Sequence, residues 1–334
     1  MATRYRPCRL RPEAYRRRVS HNPMHLPAFR TPSLRSRALI MALALFALLT
    51  AAAATPVGAV EPVDSRDPGT LRRQAPPRVE PTAEPTVSPS TAPESDVLGL
   101  DVSWPQCDTA LPELSGFAVI GVNGGRVYTP NPCLGASERP SQLEWAGAEA
   151  DLYINTGNPG PETSLYWPHG QTTPRGCNTP VALGADTVDC AYMYGWNAAA
   201  DSYRIALDAF KSFGWAEADA VRIPGERTWW LDVETSNSWR LDWSLNVATL
   251  QGAVAYLESV EATEIGFYST PLLWWMVTGG TDAFAAYPAW HAGASDLSDA
   301  QERCTAEEAF TGGELQVVQW VEDGFDTNYR CPPE

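Results

Sequence analysis

Lysine is almost absent from this 334-residue chain, with Lys211 its only representative. Residues 60–334 carry 14 basic against 39 acidic side chains, a formal charge of −25. A surface of that sign repels phosphate backbones and anionic headgroups, so nucleic acid and anionic membrane surfaces are poor partners. No basic patch and no glycine-rich phosphate loop offsets this. Histidine is as scarce, with only His169 and His291 beyond residue 60. They read as a polar loop residue and a strand-end hydrogen-bond donor. No cysteines stand at zinc spacing, so neither a metal nor any other cofactor is expected. The sequence contains no G-x-S-x-G elbow, which disfavours a serine hydrolase.

What is present starts with an Arg-rich N-terminus, where ten Arg and one Glu precede residue 60. An apolar run follows at 38–54, then small residues suited to cleavage, either at Val57-Gly58-Ala59 or within the alanines at 51–54. Residues 1–59 therefore have the pattern of a secretory signal, with Met24 as an alternative start. The 17-residue run is short of the roughly 20 residues that span a bilayer, so an uncleaved membrane tether is the alternative. Residues 60–96, rich in Pro, Glu, Thr and Ser, have little to bury and should form a disordered linker. Export agrees with the cysteines. Apart from Cys8 in the leader there are six, which allow fifteen pairings. Their order favours Cys107–Cys133, Cys177–Cys190 and Cys304–Cys331.

Residues 97–334 suffice for one α/β domain. Short apolar runs at 97–103, 117–123, 151–155, 228–234, 264–269, 287–291 and 315–321 read as strands. Segments 141–150, 198–213 and 244–260 read as helices. In the last of these, Val247, Leu250, Val254 and Leu257 form an apolar stripe, with Ser244 or Asn246 as the cap. Strand–helix alternation predicts a parallel barrel or a doubly wound sheet. Polar residues at the strand ends favour the barrel: Asp101, Asn123, Asn155, Asp232 with Glu234, Ser269 and His291. The insertion at 158–195 is long for a strand–helix loop and carries Tyr166, Trp167, His169, Tyr192 and Tyr194. These rings could stack on sugars or pack beneath the loop as a satellite core.

The densest chemical signal is Trp229-Trp230-Leu231-Asp232-Val233-Glu234. In a strand, residues i and i+2 share a face with about 6.5–7 Å between Cα atoms, so both acids enter one cavity. Burial and like charge oppose ionisation there, a cost met where acid/base chemistry is done. A strand running out into a solvated acidic turn is the alternative.

Several pieces together resemble glycoside hydrolase family 25, the Chalaropsis-type lysozymes. Asp101-Val102-Ser103-Trp104-Pro105-Gln106 is similar to its opening D-x-S-x-x-Q strand, and Leu231-Asp232-Val233-Glu234 to its central catalytic strand. Gly266-Phe267-Tyr268-Ser269 resembles the next strand. Gln319-Trp320 and Phe325-Asp326-Thr327-Asn328 resemble its closing segment. The resemblance implies an irregular (β/α) TIM-like barrel, here with a stapled aromatic-rich insertion. It also implies hydrolysis of the β-1,4 bond between N-acetylmuramic acid and N-acetylglucosamine in peptidoglycan. Glu234 would be the general acid. Asp232 would stabilise charge or orient the substrate's acetamido group, and Asp101 and Asp326 would complete a cluster of four. Three neighbouring carboxylates would hold Glu234 protonated near neutrality.

Asn123, Asn155, Tyr268, Trp290, Gln319 and Trp167 are the candidate substrate-binding residues. The chain departs from the family pattern at Gly121-Val122-Asn123-Gly124-Gly125, at Tyr153-Ile154-Asn155-Thr156-Gly157 and in the insertion. All three fall on the substrate side, so saccharide specificity is where a difference is expected. The expectation is a secreted or cell-surface monomer acting on a polysaccharide, suited by its charge to remodelling the producer's own surface. The competing readings are a non-catalytic saccharide-binding protein that kept the barrel, and a hydrolase of another N-acetylated polysaccharide.

Overall fold

Alternate residues of the apolar runs serve two different cores, as a closed sheet wrapped in helices requires. In the computed structural model, which describes residues 97–136, 140–177, 185–216 and 223–333, eight strands close into a barrel in sequence order. They are β1 (Leu98–Val102), β2 (Phe117–Gly121), β3 (Asp151–Asn155), β4 (Thr228–Asp232), β5 (Glu264–Ser269), β6 (Ala289–Ala294), β7 (Leu315–Glu322) and β8 (Phe325–Arg330). Inward-facing Val119, Trp230, Trp290 and Val317 fill the interior. Their outward neighbours, such as Leu152, Ile154, Trp229, Leu231 and Phe267, pack beneath the helices. The expected leader (1–59) and linker (60–96) lie outside the described residues.

The barrel differs from an all-parallel one at its seam. Strands β1 to β7 pair in parallel with their neighbours, whereas β8 is antiparallel to both β7 and β1. The sequence reading had seven strands and no β8. The missed signal is Asp323-Gly324, which joins paired Glu322 and Phe325 with φ of 52° and 83°. Two positive-φ residues form the turn that matches the twist of a tight hairpin, and Asp-Gly is a favoured pair for it. Strand β6 also runs further than expected, to Ala294, with register shifts against β7.

Five helices flank the described barrel: α1 (Gln142–Ala146), α2 (Val188–Ser212), α3 (Trp243–Ser259), α4 (Pro271–Thr278) and α5 (Leu297–Glu302). The first ends sooner than its pattern suggested, where Gly147 turns to φ 84°. Helix α2 instead begins earlier, because the Thr187 side chain accepts from Cys190 N and caps it. Tyr192, Tyr194 and Trp196 therefore ride on a helix and not on the insertion loop. Helix α3 is capped by Asp242, whose Oδ1 accepts from Ser244 N at 2.9 Å. Ser244 thus donates to the cap, and Asn246 Nδ2 donates to the carbonyls of Arg240 and Val277. The stripe of Leu250, Val254 and Leu257 is buried as expected, with Val247 half-buried against it. All three disulfides form in the order inferred, Cys107–Cys133, Cys177–Cys190 and Cys304–Cys331. Among the described residues no helix is long and apolar enough to cross a membrane.

Helices α2 and α3 meet backbone to backbone. A Cβ at Gly195 would stand 1.8 Å from Thr249 O, and one at Gly252 would stand 1.9 Å from Tyr192 O. Thr249 Oγ1 donates to Ala191 O at 3.0 Å across the same crossing. Overpacking a core typically costs ~1–3 kcal/mol, and here the obstacle is a carbonyl that cannot swing aside. Gly252→Ala is therefore expected to lower stability by at least about 2 kcal/mol, read as a lower urea midpoint at unchanged slope.

Candidate active site

Strand register alone sets the upper rung of the barrel. Asn155 of β3 pairs with Asp232 of β4, which pairs with Tyr268 of β5. Gln319 of β7 pairs with Asn328 of β8, and Asp101 of β1 stands directly across from Asp326. Because β8 runs against the others, its beginning lies where they end. Asp326 thus reaches the same mouth as Asp232 from the opposite chain direction.

All of these but the buried Asn328 line one cavity of about 280 Å³, with Asp101, Asp232, Glu234 and Asp326 in its wall. Asp101 and Asp232 are 6% and 5% exposed, whereas Glu234 and Asp326 are half-buried at the rim. A larger cavity of about 810 Å³ opens at the opposite end of the barrel. Two of its four acids are paired, Asp151 with Arg330 at 3.3 Å and Glu149 with Arg227. The smaller cavity gathers four carboxyls with no cation in its lining.

Two hydrogen-bonded arms converge on Asp101. Tyr268 Oη donates to Gln319 Oε1 at 2.8 Å, and Gln319 Nε2 donates to Asp101 Oδ2 at 2.8 Å. Trp290 Nε1 donates to Asn328 Oδ1 at 2.9 Å, and Asn328 Nδ2 donates to the same Asp101 oxygen at 2.8 Å. Asp232 Oδ2 accepts from Asn155 Nδ2 at 2.5 Å. The other oxygen of Asp232 and Nδ2 of Asn237 are both buried without a well-formed hydrogen bond, and Asn237 lies near enough to oppose the rise of Asp232. Glu234 is held more lightly, by Ser236 Oγ at 3.4 Å.

Burial dominates the ionisation of the cluster. It pushes Asp101 up to about 8, with the Asp326 charge adding to the rise and the two amide donors opposing it. Asp232 is likewise pushed up to about 8, by burial first and Glu234 second. Glu234 and Asp326 also rise through burial. For Glu234 burial acts first, and the Asp326 charge and the repulsion it shares with Asp232 add to the rise. Among the described residues no group of three or more His, Cys, Asp or Glu side chains is arranged to hold a metal ion.

Four of the six expected substrate-binding residues line this cavity, namely Asn155, Tyr268, Trp290 and Gln319. Asn123 does not. It is buried behind the wall, accepting from Asn155 N at 3.0 Å and donating to Ser202 Oγ at 3.2 Å. Its part is to place Asn155. Trp167 is also elsewhere: only 4% exposed, it stacks on Tyr194 at 5.2 Å in a satellite core under the insertion. An apolar loop over a helix start needs its own core, and Trp167 supplies it. His291 lies 3.3 Å from Glu308, with burial lowering its pKa, and faces away from the acids. Trp104, Tyr153, Ser236 and Asn237 line the cavity and were not singled out by sequence reasoning. Trp104 and Tyr153 sit inside motifs already quoted, so proximity to Asp101 and Asn155 was the available signal. Ser236 and Asn237 lie on the loop beyond Glu234, where no periodicity operates.

Known proteins share parts of this chain. A relative described as probable GH family 25 lysozyme 4 of Dictyostelium discoideum is 32% identical over 95 residues. That segment covers 28% of this chain and 42% of the relative, so the match spans less than half of that protein. Its name carries the family that the sequence motifs resemble. Among solved structures, a muramidase from Trichobolus zukalii is 19% identical, over 71% of this chain and 94% of that one, with a TM-score of 0.41. A bacterial lysozyme from Streptomyces coelicolor is 16% identical, over 72% and 94%, with a TM-score of 0.40. No family model matches the chain.

The raised carboxyls carry a stability consequence. Between pH about 4 and about 8 the folded chain keeps protons on Asp101 and Asp232 that the unfolded chain releases. Stability is therefore greatest below the unfolded value and falls as pH rises through the folded one. Thermal melts should show a loss on the order of a few kcal/mol across that window. Asp232→Asn should flatten the slope and melt higher than wild type at pH 8. A variant with the wild-type slope would rule out Asp232 as its source.

Proposed function

We propose that this domain is a lysozyme-like glycoside hydrolase that cleaves β-1,4 bonds of peptidoglycan by carboxylate acid catalysis. The observation that carries the reading is the meeting of four carboxyls of unequal exposure at one mouth. Glycoside cleavage needs a protonated carboxyl at the leaving oxygen and negative charge near the oxocarbenium-like centre. Glu234, raised by burial yet reachable at the rim, is suited to the first task. Its proton passes to the glycosidic oxygen as the C–O bond breaks. Water then supplies a hydroxyl to the anomeric carbon and returns its proton to the carboxylate cluster.

The floor of the cavity favours an N-acetylated sugar. Asp232 Oδ1 and Asn237 Nδ2 meet there in no more than a loose contact, and when Asp232 is ionised they present an acceptor and a donor. An acetamido group presents one N–H and one C=O, the complementary pair, and buried polar atoms left unpaired cost free energy until a ligand meets them. Trp104, 48% exposed at the rim, offers an aromatic face to a sugar ring. The lysozyme name of the Dictyostelium relative supports the same substrate class. Three disulfides and the leader pattern of residues 1–59 support secretion.

Release of new reducing ends from peptidoglycan tests the assignment. Glu234→Gln should lower the rate about 10²–10⁴-fold, the usual contribution of a positioned acid, while binding of the glycan persists. Full-rate release by that variant would remove Glu234 from the role. Binding by wild type with no release from any wall preparation would replace the hydrolase with a saccharide-binding protein.

A further inference from the structure

The acid-lined cavity does not end at Glu234. Past Ser236 and Asn237, which line both, a second hollow of about 350 Å³ opens between the loop after β2 and the insertion after β3. Its walls are built by folding devices unconnected with the acids. The loop after β2 doubles back through Gly124 N to Thr129 O at 2.7 Å and Asn131 N to Val122 O at 3.0 Å. At its tip Tyr128 takes φ 61°, a conformation bulky residues seldom adopt. That conformation sets the Tyr128 ring flat against Tyr166 of the insertion, with centroids 4.1 Å apart and planes 10° apart. The stack joins the two walls. Leu165 beside it remains 99% exposed and Tyr166 57% exposed, so apolar surface stays uncovered along the hollow.

Charge narrows the choice of occupant. Arg126 is the only charged residue lining the hollow, and among the described residues it makes no ion pair. It is an exposed guanidinium on a chain whose residues 60–334 carry −25. A neutral sugar would offer it hydroxyl acceptors but no opposite charge. A carboxylate offers both, and guanidinium and carboxylate match as paired donors and acceptors. Resting on the peptidoglycan reading above, we propose that this hollow binds the acidic peptide carried by the glycan: Arg126 takes a carboxylate, and Leu165 and Tyr166 take apolar side chains. The acids cut the glycan while the insertion reads what the glycan carries.

The test compares two soluble ligands, peptidoglycan oligosaccharides bearing uncross-linked peptides and the same oligosaccharides with the peptides removed and the exposed lactyl carboxyls amidated. Affinities are measured by calorimetry on the full chain carrying Glu234→Gln, so that turnover does not consume the ligand. The peptide-bearing form should bind about tenfold more tightly at low salt, as one charge-assisted hydrogen-bonded pair provides. Adding Arg126→Ala should bring the ratio of the two dissociation constants near one, and Arg126→Lys should restore part of it. High salt should shrink the ratio, because the pair is exposed. Equal affinities in the Arg126 parent, or a ratio unmoved by Arg126→Ala, would overturn the proposal. So would a gain in affinity from longer peptide-free oligosaccharides that Tyr166→Ala abolishes, which would give the hollow to sugar. Absence of reducing-end release by wild type from both ligands would count against the hydrolase reading alone, because the affinity ratio is read without catalysis.

Discussion

The architecture turns on one reversed strand. By inserting antiparallel between β7 and β1, β8 closes the barrel and sets Asp326 directly across from Asp101. Like charges directly opposite on paired strands oppose each other, so the closure that completes the sheet also loads its seam with repulsion. The same strand brings relief two residues on, where Asn328 donates to Asp101 and accepts from Trp290. Closure of the fold and assembly of the acids are thus one event. A barrel without β8 would lose an acid and the amide that stabilises another.

Holding carboxyls in that setting limits what the surrounding residues can be. The barrel interior beneath the acids is aromatic and buried, with Trp230 and Trp290 packed edge to face at 5.6 Å. Such a floor prevents water from solvating Asp101 and Asp232 from below, which is why burial leads the causes of their raised pKa values. Amides, which cannot change charge, supply the fixed hydrogen bonds. The Glu234 side chain lies two residues beyond the end of the strand and is tied only to Ser236, so it is held less tightly than the two buried acids. Rigid floor and looser rim divide the acids into two kinds within a single cavity.

Much of this was legible in the sequence because it follows from period-two alternation. Asp232 and Glu234 share a face because they are two apart, and the ordered motifs around Asp101, Tyr268, Gln319 and Asp326 place the rest of the ring. The cysteine order gave all three bridges. What escaped depends on information that periodicity does not carry. The direction of β8 resides in the backbone angles of two residues, Asp323 and Gly324. Trp167 looked like a sugar-stacking residue because its type fits that task, but whether an aromatic ring faces solvent depends on the helix that arrives beneath it. That helix began at Val188 because of a threonine cap, not because of its apolar pattern. Asn123 stands at a strand end as expected, yet its side chain turns back to hold a neighbour.

The insertion is anchored by ties that involve none of the four acids. The Cys177–Cys190 bridge fixes it to the first turn of α2, and the Tyr128–Tyr166 stack fixes it to the loop after β2. Strand register, which sets the chemistry, is decided elsewhere. Residues along the insertion can therefore vary without disturbing the acids. Under the proposed function, recognition could change while the carboxyl cluster stays as it is, because the two are inherited on separate parts of the chain.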